Sequence, residues 1–141
     1  MKKDAYYEEI KCSELLLASA FEKNTMINSF EKFKTEFLRC IDENNWKCVK
    51  KFIKRNVQYS QGVPNYGDQR EYAFQEWNQF GGLTKMAKII RSKLSRSVKE
   101  KETRIIFSLE EKNKDETISY YGVFELIDGG WLLSIYVRDS A

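Results

Sequence analysis

The sequence predicts an α+β domain in which helices pack on a curved antiparallel sheet of about four strands. Three observations predict it. Residues 104–138 read as strand, turn, strand, Gly-Gly turn, strand. Ahead of them lie several stretches whose apolar residues recur at helical spacing. A meander of this kind carries an apolar face and is not stable alone, so the helical remainder has to cover it.

The first helical stretch is loose: within 4–22, Ile10, Leu15, Leu17 and Phe21 form a broken stripe. Asn24-Thr25 offers an N-cap for a stronger helix, in which Phe30, Phe33, Phe37 and Ile41 share one arc with Lys32, Thr35 and Arg39 opposite. Asp42-Glu43-Asn44-Asn45 breaks it. Trp46, Val49, Phe52 and Ile53 then predict a short amphipathic helix to about Asn56. Val57–Ser60 reads as a short strand, and 61–67, with two glycines and the single proline, as a loop. Asp68 is placed to cap a helix to Gln79 that buries Tyr72, Ala73, Trp77 and Phe80, and Gly81-Gly82 interrupts it. Leu83, Met86, Ala87, Ile90 and Leu94 make the next stripe. Strands follow from Val98 or Thr103, and Asp128-Gly129-Gly130 supplies the positive φ angles of a tight hairpin. The expected organisation is a helical extension at 1–24 and a single α+β domain at 25–141.

Composition removes whole classes of chemistry. Nine Phe, eight Tyr and three Trp in 141 residues argue for a packed core and against disorder. Histidine is absent, which excludes Ser-His-Asp and Cys-His machinery and His-ligated metals. Cys12, Cys40 and Cys48 make an odd count with no CxxC, a poor zinc set. Free thiols in a reducing compartment are the simpler expectation, with Cys40–Cys48 as the pairing if the chain is exported. No apolar run is long enough for a signal h-region or a membrane span, so the expected location is the cytoplasm, or outside it if a leader has been removed. No glycine-rich phosphate loop or other cofactor motif is present, and no cofactor is expected.

Two segments resemble a known superfamily. Phe30-Glu-Lys-Phe33, Phe37-Leu38, Asp42-Glu-Asn-Asn-Trp46, Val49 and Phe52–Val57 look like the opening of nuclear transport factor 2-like proteins. Gly122–Ile135, with its Gly130-Trp131 pair, resembles their closing hairpin. The match covers 28–138 and leaves 4–23 outside. The resemblance implies a cystatin-like roll: a sheet wrapped against helices into a cone with an apolar pocket. It implies no single function, because the superfamily hosts enzymes, ligand binders, assembly domains and toxin-neutralising immunity proteins.

The ligand-pocket candidates are Tyr59, Trp77, Tyr120, Phe124 and Trp131. A ketosteroid-isomerase-like site would need a carboxylate beside a Tyr; Tyr59, Asp68, Glu76 and Tyr120 are the available types. Asp68 is more simply a helix cap and Glu76 a solvated helix residue. The stretch from Lys85 to Arg104 carries eight cations against Glu100 and Glu102. A solvated helix face whose Lys stems cover apolar surface is the simpler reading. As a landing surface it suits an acidic protein better than nucleic acid or lipid, since no RNA-binding or helix-turn-helix signature accompanies it. Alternation sends Trp131, Leu133, Ile135 and Val137 to one sheet face, and Leu132, Ser134, Tyr136 and Arg138 to the other. The partner-surface candidates are therefore Lys85, Lys88, Arg96, Tyr136 and Arg138. The expected function is non-enzymatic binding of a protein partner or a second copy, with toxin neutralisation as one concrete form, or of a small apolar ligand in the cone. An isomerase- or cyclase-like enzyme, and a nucleic-acid or membrane-surface module using 85–104, are the alternatives.

Overall fold

The computed structural model describes residues 29–61, 67–92 and 103–140. The expected helix at 4–22, its Asn24-Thr25 successor's cap, the 24/25 domain boundary, Cys12, Lys93, Leu94, Arg96, Lys99 and Lys101 lie outside these residues. The chain divides into two compact units, Met1–Thr35 and Glu36–Ala141.

Residues 29–42 are helical (α1). In the first unit Phe30 and Phe33 are buried with ring centroids 5.9 Å apart. In the second, Phe37 and Ile41 continue the stripe and are buried, while Arg39 is exposed between Glu36 and Glu43.

The rest of the second unit runs α2 (Trp46–Lys50), β1 (Ile53–Gln58), α3 (Arg70–Gln79), α4 (Gly82–Ser92), β2 (Arg104–Asn113), β3 (Glu116–Ile127) and β4 (Gly130–Ser140). The four strands form one sheet in the order β1-β4-β3-β2. β2, β3 and β4 are the expected antiparallel meander, and β1 adds to it parallel to β4. Asp128 and Gly129, at φ 50° and 81°, form the two-residue turn between β3 and β4.

β1 begins four residues before the expected strand, and α2 stops correspondingly early. Ile53 and Val57 are both buried. A spacing of four places two residues on one face of a helix and also, being even, on one face of a strand, so the sequence spacing fits either. Pairing decides it: Ile53 registers with Leu133 of β4, and the Leu133 N–H donates to the Phe52 carbonyl at 2.7 Å.

β4 differs from the expectation more consequentially. Val123 faces Ile135 and Phe124 faces Leu133, so Ser134 is an extra residue on β4, a β-bulge. Its hydroxyl donates to Glu125 Oε1 at 2.8 Å and lies 3.2 Å from the Val123 carbonyl oxygen. Past the bulge the alternation is inverted. Trp131 and Leu133 are buried before it, and Tyr136, only 4 % exposed, after it. Tyr136 therefore belongs to the core and not to an outer partner face.

Cys40 and Cys48 are joined by a disulfide, with Cα atoms 5.5 Å apart. It ties the end of α1 to α2 across the Asn44-Asn45 turn, where the Asn45 side chain accepts the Cys48 N–H at 3.2 Å. The free-thiol expectation is thus replaced for these two residues.

Candidate functional site: the aromatic face and its polar rim

The inner face of the sheet, the side that α3 and α4 cover, is read off its register. Phe107, Gly122 and Tyr136 lie level across β2, β3 and β4, with Leu109, Tyr120 and Arg138 in the next row and Ile105, Phe124 and Leu133 in the row on the other side. Ring centroids are 5.1 Å apart for Phe107–Phe124, 6.2 Å for Phe107–Tyr136 and 6.5 Å for Tyr120–Tyr136. From α3, Trp77 packs edge-on against Tyr136 at 5.4 Å, and its Nε1–H donates to the Tyr136 carbonyl at 3.2 Å. From α1, Phe37 packs edge-on against Phe124 at 5.8 Å. Of the pocket candidates, Trp77, Tyr120 and Phe124 meet in this cluster. Trp131 is buried further along β4, and Tyr59 is buried where β1 ends.

Polar groups line one edge of the cluster. The Tyr59 hydroxyl donates to Gln69 Oε1 at 3.1 Å, both residues being buried. Burial, with the Glu76 charge nearby, pushes the Tyr59 phenol up from its ordinary value. Glu76 is not the solvated helix residue expected: it is 6 % exposed. Its two carboxylate oxygens accept the Ser60 N–H at 2.9 Å and the Gln61 N–H at 2.6 Å, capping the chain as it leaves β1. The Ser60 hydroxyl accepts the Arg138 N–H at 2.7 Å and donates to the Arg138 carbonyl at 2.9 Å. The Arg138 guanidinium stacks on Phe80 at 4.2 Å.

Asp68 accepts the Arg70 backbone N–H at 3.1 Å and both Nε and Nη2 of Arg70, which hold its carboxyl well below the usual carboxylate range. Its capping role is as expected, although the helix proper begins at Arg70 with Gln69 in the cap position.

At the far corner Lys85 of α4 pairs with Glu111 of β2, and its ammonium lies 5.2 Å from the Tyr120 ring centroid. Burial chiefly, with Tyr120 and the Glu111 charge adding to it, pushes the Tyr136 phenol above the range of free tyrosine. Sequence reasoning missed Glu111, Gln69 and Ser60. Glu111 had a signal, since alternation from Ile105 through Phe107 and Leu109 puts it on the inner face; Gln69 and Ser60 had none.

The five partner-surface candidates do not form one free face. Tyr136 is core, Arg138 packs on Phe80, Lys85 is engaged by Glu111, Lys88 is exposed, and Arg96 lies outside the described residues. Arg91, from the same basic stretch, pairs with Asp42.

In fold the chain is similar to solved structures of the nuclear transport factor 2-like class. One, an NTF2-like protein with a cystatin-like fold from Novosphingobium aromaticivorans, is 10 % identical, with 86 % of each chain covered and a TM-score of 0.46. An NTF-2 like protein of unknown function from Silicibacter pomeroyi is 9 % identical over 84 % of this chain and 98 % of that one, with a TM-score of 0.45. Another from Shewanella oneidensis is 9 % identical over 79 % and 97 %, with a TM-score of 0.43. No family profile and no curated protein matches the sequence. These are likenesses of fold only, and no ligand or reaction of those proteins is carried to this chain. Among the described residues no helix is long and apolar enough to cross a membrane.

Proposed function

We propose that this chain is a non-enzymatic binding domain that engages a protein partner through its surface. The observation that supports this reading is how the acids and phenols picked from the sequence are employed. Glu76 is held by two backbone N–H groups, Asp68 by Arg70, and Tyr59 by Gln69. The space a small ligand would take against the inner sheet face is contested by Phe107, Tyr120, Phe124 and Tyr136 rings in mutual contact. What such a domain presents is its outside, and neutralising a toxin by covering its active surface is one form this takes. The test is site-specific photo-crosslinking in the source cell from exposed positions, Tyr72 and Tyr121, followed by reconstitution with the purified partner. A partner that binds when both components are pure supports the reading. Failure to recover one from either position overturns it.

One observation favours a second reading, an isomerase- or cyclase-like enzyme. Glu111 is part-exposed on the inner face and, while paired with Lys85, stands at the same corner as the Tyr120 ring, whose centroid is 5.2 Å from the Lys85 ammonium. Turnover of a ketone substrate that disappears in Glu111→Gln would establish that reading in place of the first.

A further inference from the structure

From Trp46 to Gly67 the sequence holds Lys47, Lys50, Lys51, Lys54 and Arg55 and not one acid. The fold brings the elements that carry these cations together in the second unit. Arg70 of α3 donates from Nη1 to the Lys50 carbonyl at 3.1 Å, and Lys50 Nζ pairs with Glu71 at 2.8 Å. Trp46 stacks on Phe74 with ring centroids 4.0 Å apart and donates from Nε1 to Glu71 at 3.0 Å. The Arg55 carbonyl of edge strand β1 accepts the Gln69 N–H at 2.7 Å. So α2, β1 and the first turn of α3 share a surface.

The acids within reach are already engaged. Asp68 is gripped by Arg70, and Arg55 stands 3.9 Å from it while remaining 78 % exposed. Glu71 serves both Lys50 and Trp46. No ion pair joins Lys47, Lys51 or Lys54 to an acid among the described residues, and Lys47 and Lys51 are exposed. Lys47 and Lys51 thus stand exposed, whereas the basic stretch noted in the sequence at 85–104 has Lys85 and Arg91 tied up internally.

We propose that the surface of α2, β1 and the first turn of α3 docks an acidic, carboxylate-rich protein segment. The proposal rests on the protein-binding reading above and assigns its surface. Charge complementarity identifies the occupant. Single-stranded nucleic acid fits less well, because two of the groups it would use, the Trp46 ring and the Arg70 fork, are already engaged. One face of Trp46 is covered by Phe74, and the Arg70 fork is spent on Asp68. What remains is a set of lysine point charges and the exposed guanidinium of Arg55 at the edge strand. The Gln69 N–H at Arg55 blocks an incoming strand from pairing there, so side-chain charge and not strand addition holds the segment.

The experiment is fluorescence anisotropy of a labelled oligoglutamate peptide on the full chain, with single-stranded DNA of equal charge in parallel. Lys47→Glu/Lys51→Glu is compared with Lys112→Glu/Lys114→Glu, an equal charge change at the exposed β2–β3 turn. Peptide binding that weakens with salt and falls about tenfold or more in the first variant alone supports the proposal. Equal loss in both variants, no binding at low salt, or tighter binding of DNA overturns it. Carboxyl-to-amine cross-linking of the unmodified chain provides a measurement free of any folding defect: links at Lys47, Lys51 or Lys54 support the site, and links only elsewhere overturn it. A partner recovered in the cell that contacts the Tyr121 side would sink this surface while leaving protein binding intact.

Discussion

The ring of Phe107 lies across the α-carbon of Gly122, its cross-strand partner. On the other side Gly122 registers with Tyr136, and the two aromatic rings meet over the glycine in near-parallel planes 25° apart. A side chain at 122 would run into the Phe107 ring, which is fully buried. Gly122→Ala is expected to cost about 1–3 kcal/mol, the usual range for overpacking. Urea denaturation measures it. In a double-mutant cycle, Phe107→Leu should return part of the loss when combined with Gly122→Ala and cost stability when made alone.

Glu76→Gln keeps the shape of the side chain and removes its charge. One amide oxygen can still accept one N–H, so either Ser60 or Gln61 loses its acceptor. The expected cost is about 1–3 kcal/mol. Hydrogen exchange should quicken at Ser60 and Gln61 first. A variant with unchanged exchange there would show that the carboxylate does not hold the end of β1.

Asp68 gives stability a dependence on acid. Arg70 lowers its folded-state value beneath the ordinary Asp value of about 4. The contribution is therefore complete above about pH 4 and is lost as pH falls from there toward the folded value. Asp42 and Glu71 are lowered the same way by Arg91 and by Lys50 with Trp46, but both are exposed and solvent screens them. Thermal midpoints measured from acid to neutral pH should fall less steeply on the acid side in Asp68→Asn than in the native chain.

The Cys40–Cys48 bond closes a loop with a sequence separation of 8. Chain entropy alone makes that worth about 2–3 kcal/mol. Adding reductant should lower the urea midpoint of the native chain accordingly and leave Cys48→Ala indifferent to it. Thiol titration of the unreduced chain in denaturant should find one free thiol among the three cysteines; three would show that the bond does not form in solution.

Much of this fold is legible in the sequence because local signals and tertiary demands agree. Phe37 and Ile41 fall on the buried side of a helix as their spacing says. Asp128-Gly129 turns where its tolerance of positive φ says. The misreadings occur where a local rule is silent about a distant partner. The spacing of Ile53 and Val57 suits helix and strand alike, and only the pairing to β4 resolves it. Glu76 looks solvated on its helix, yet the loop after β1 brings two N–H donors to it. Lys85 lies in a basic stretch by sequence, but Glu111, 26 residues away, claims it. Trp77, Tyr120 and Phe124 of the aromatic cluster were named from the sequence, but Phe107 was not and Tyr136 was sent to the outer face. The polar rim was not legible either, since hydrogen-bond partners 10 to 78 residues apart leave no periodicity to read.

Ser134 makes β4 a strand written in two phases. Straightening the bulge with Ser134 kept in the ladder would shift everything beyond it by a step: Tyr136 and Arg138 would turn away from the helices, and Ile135 and Val137 would turn toward them. A strand lacking that one residue would keep the present facing without any bulge. An alignment to a strand without the bulge that opens no gap at 134 would therefore assign the wrong side of the sheet to every residue from Ile135 to Ser140.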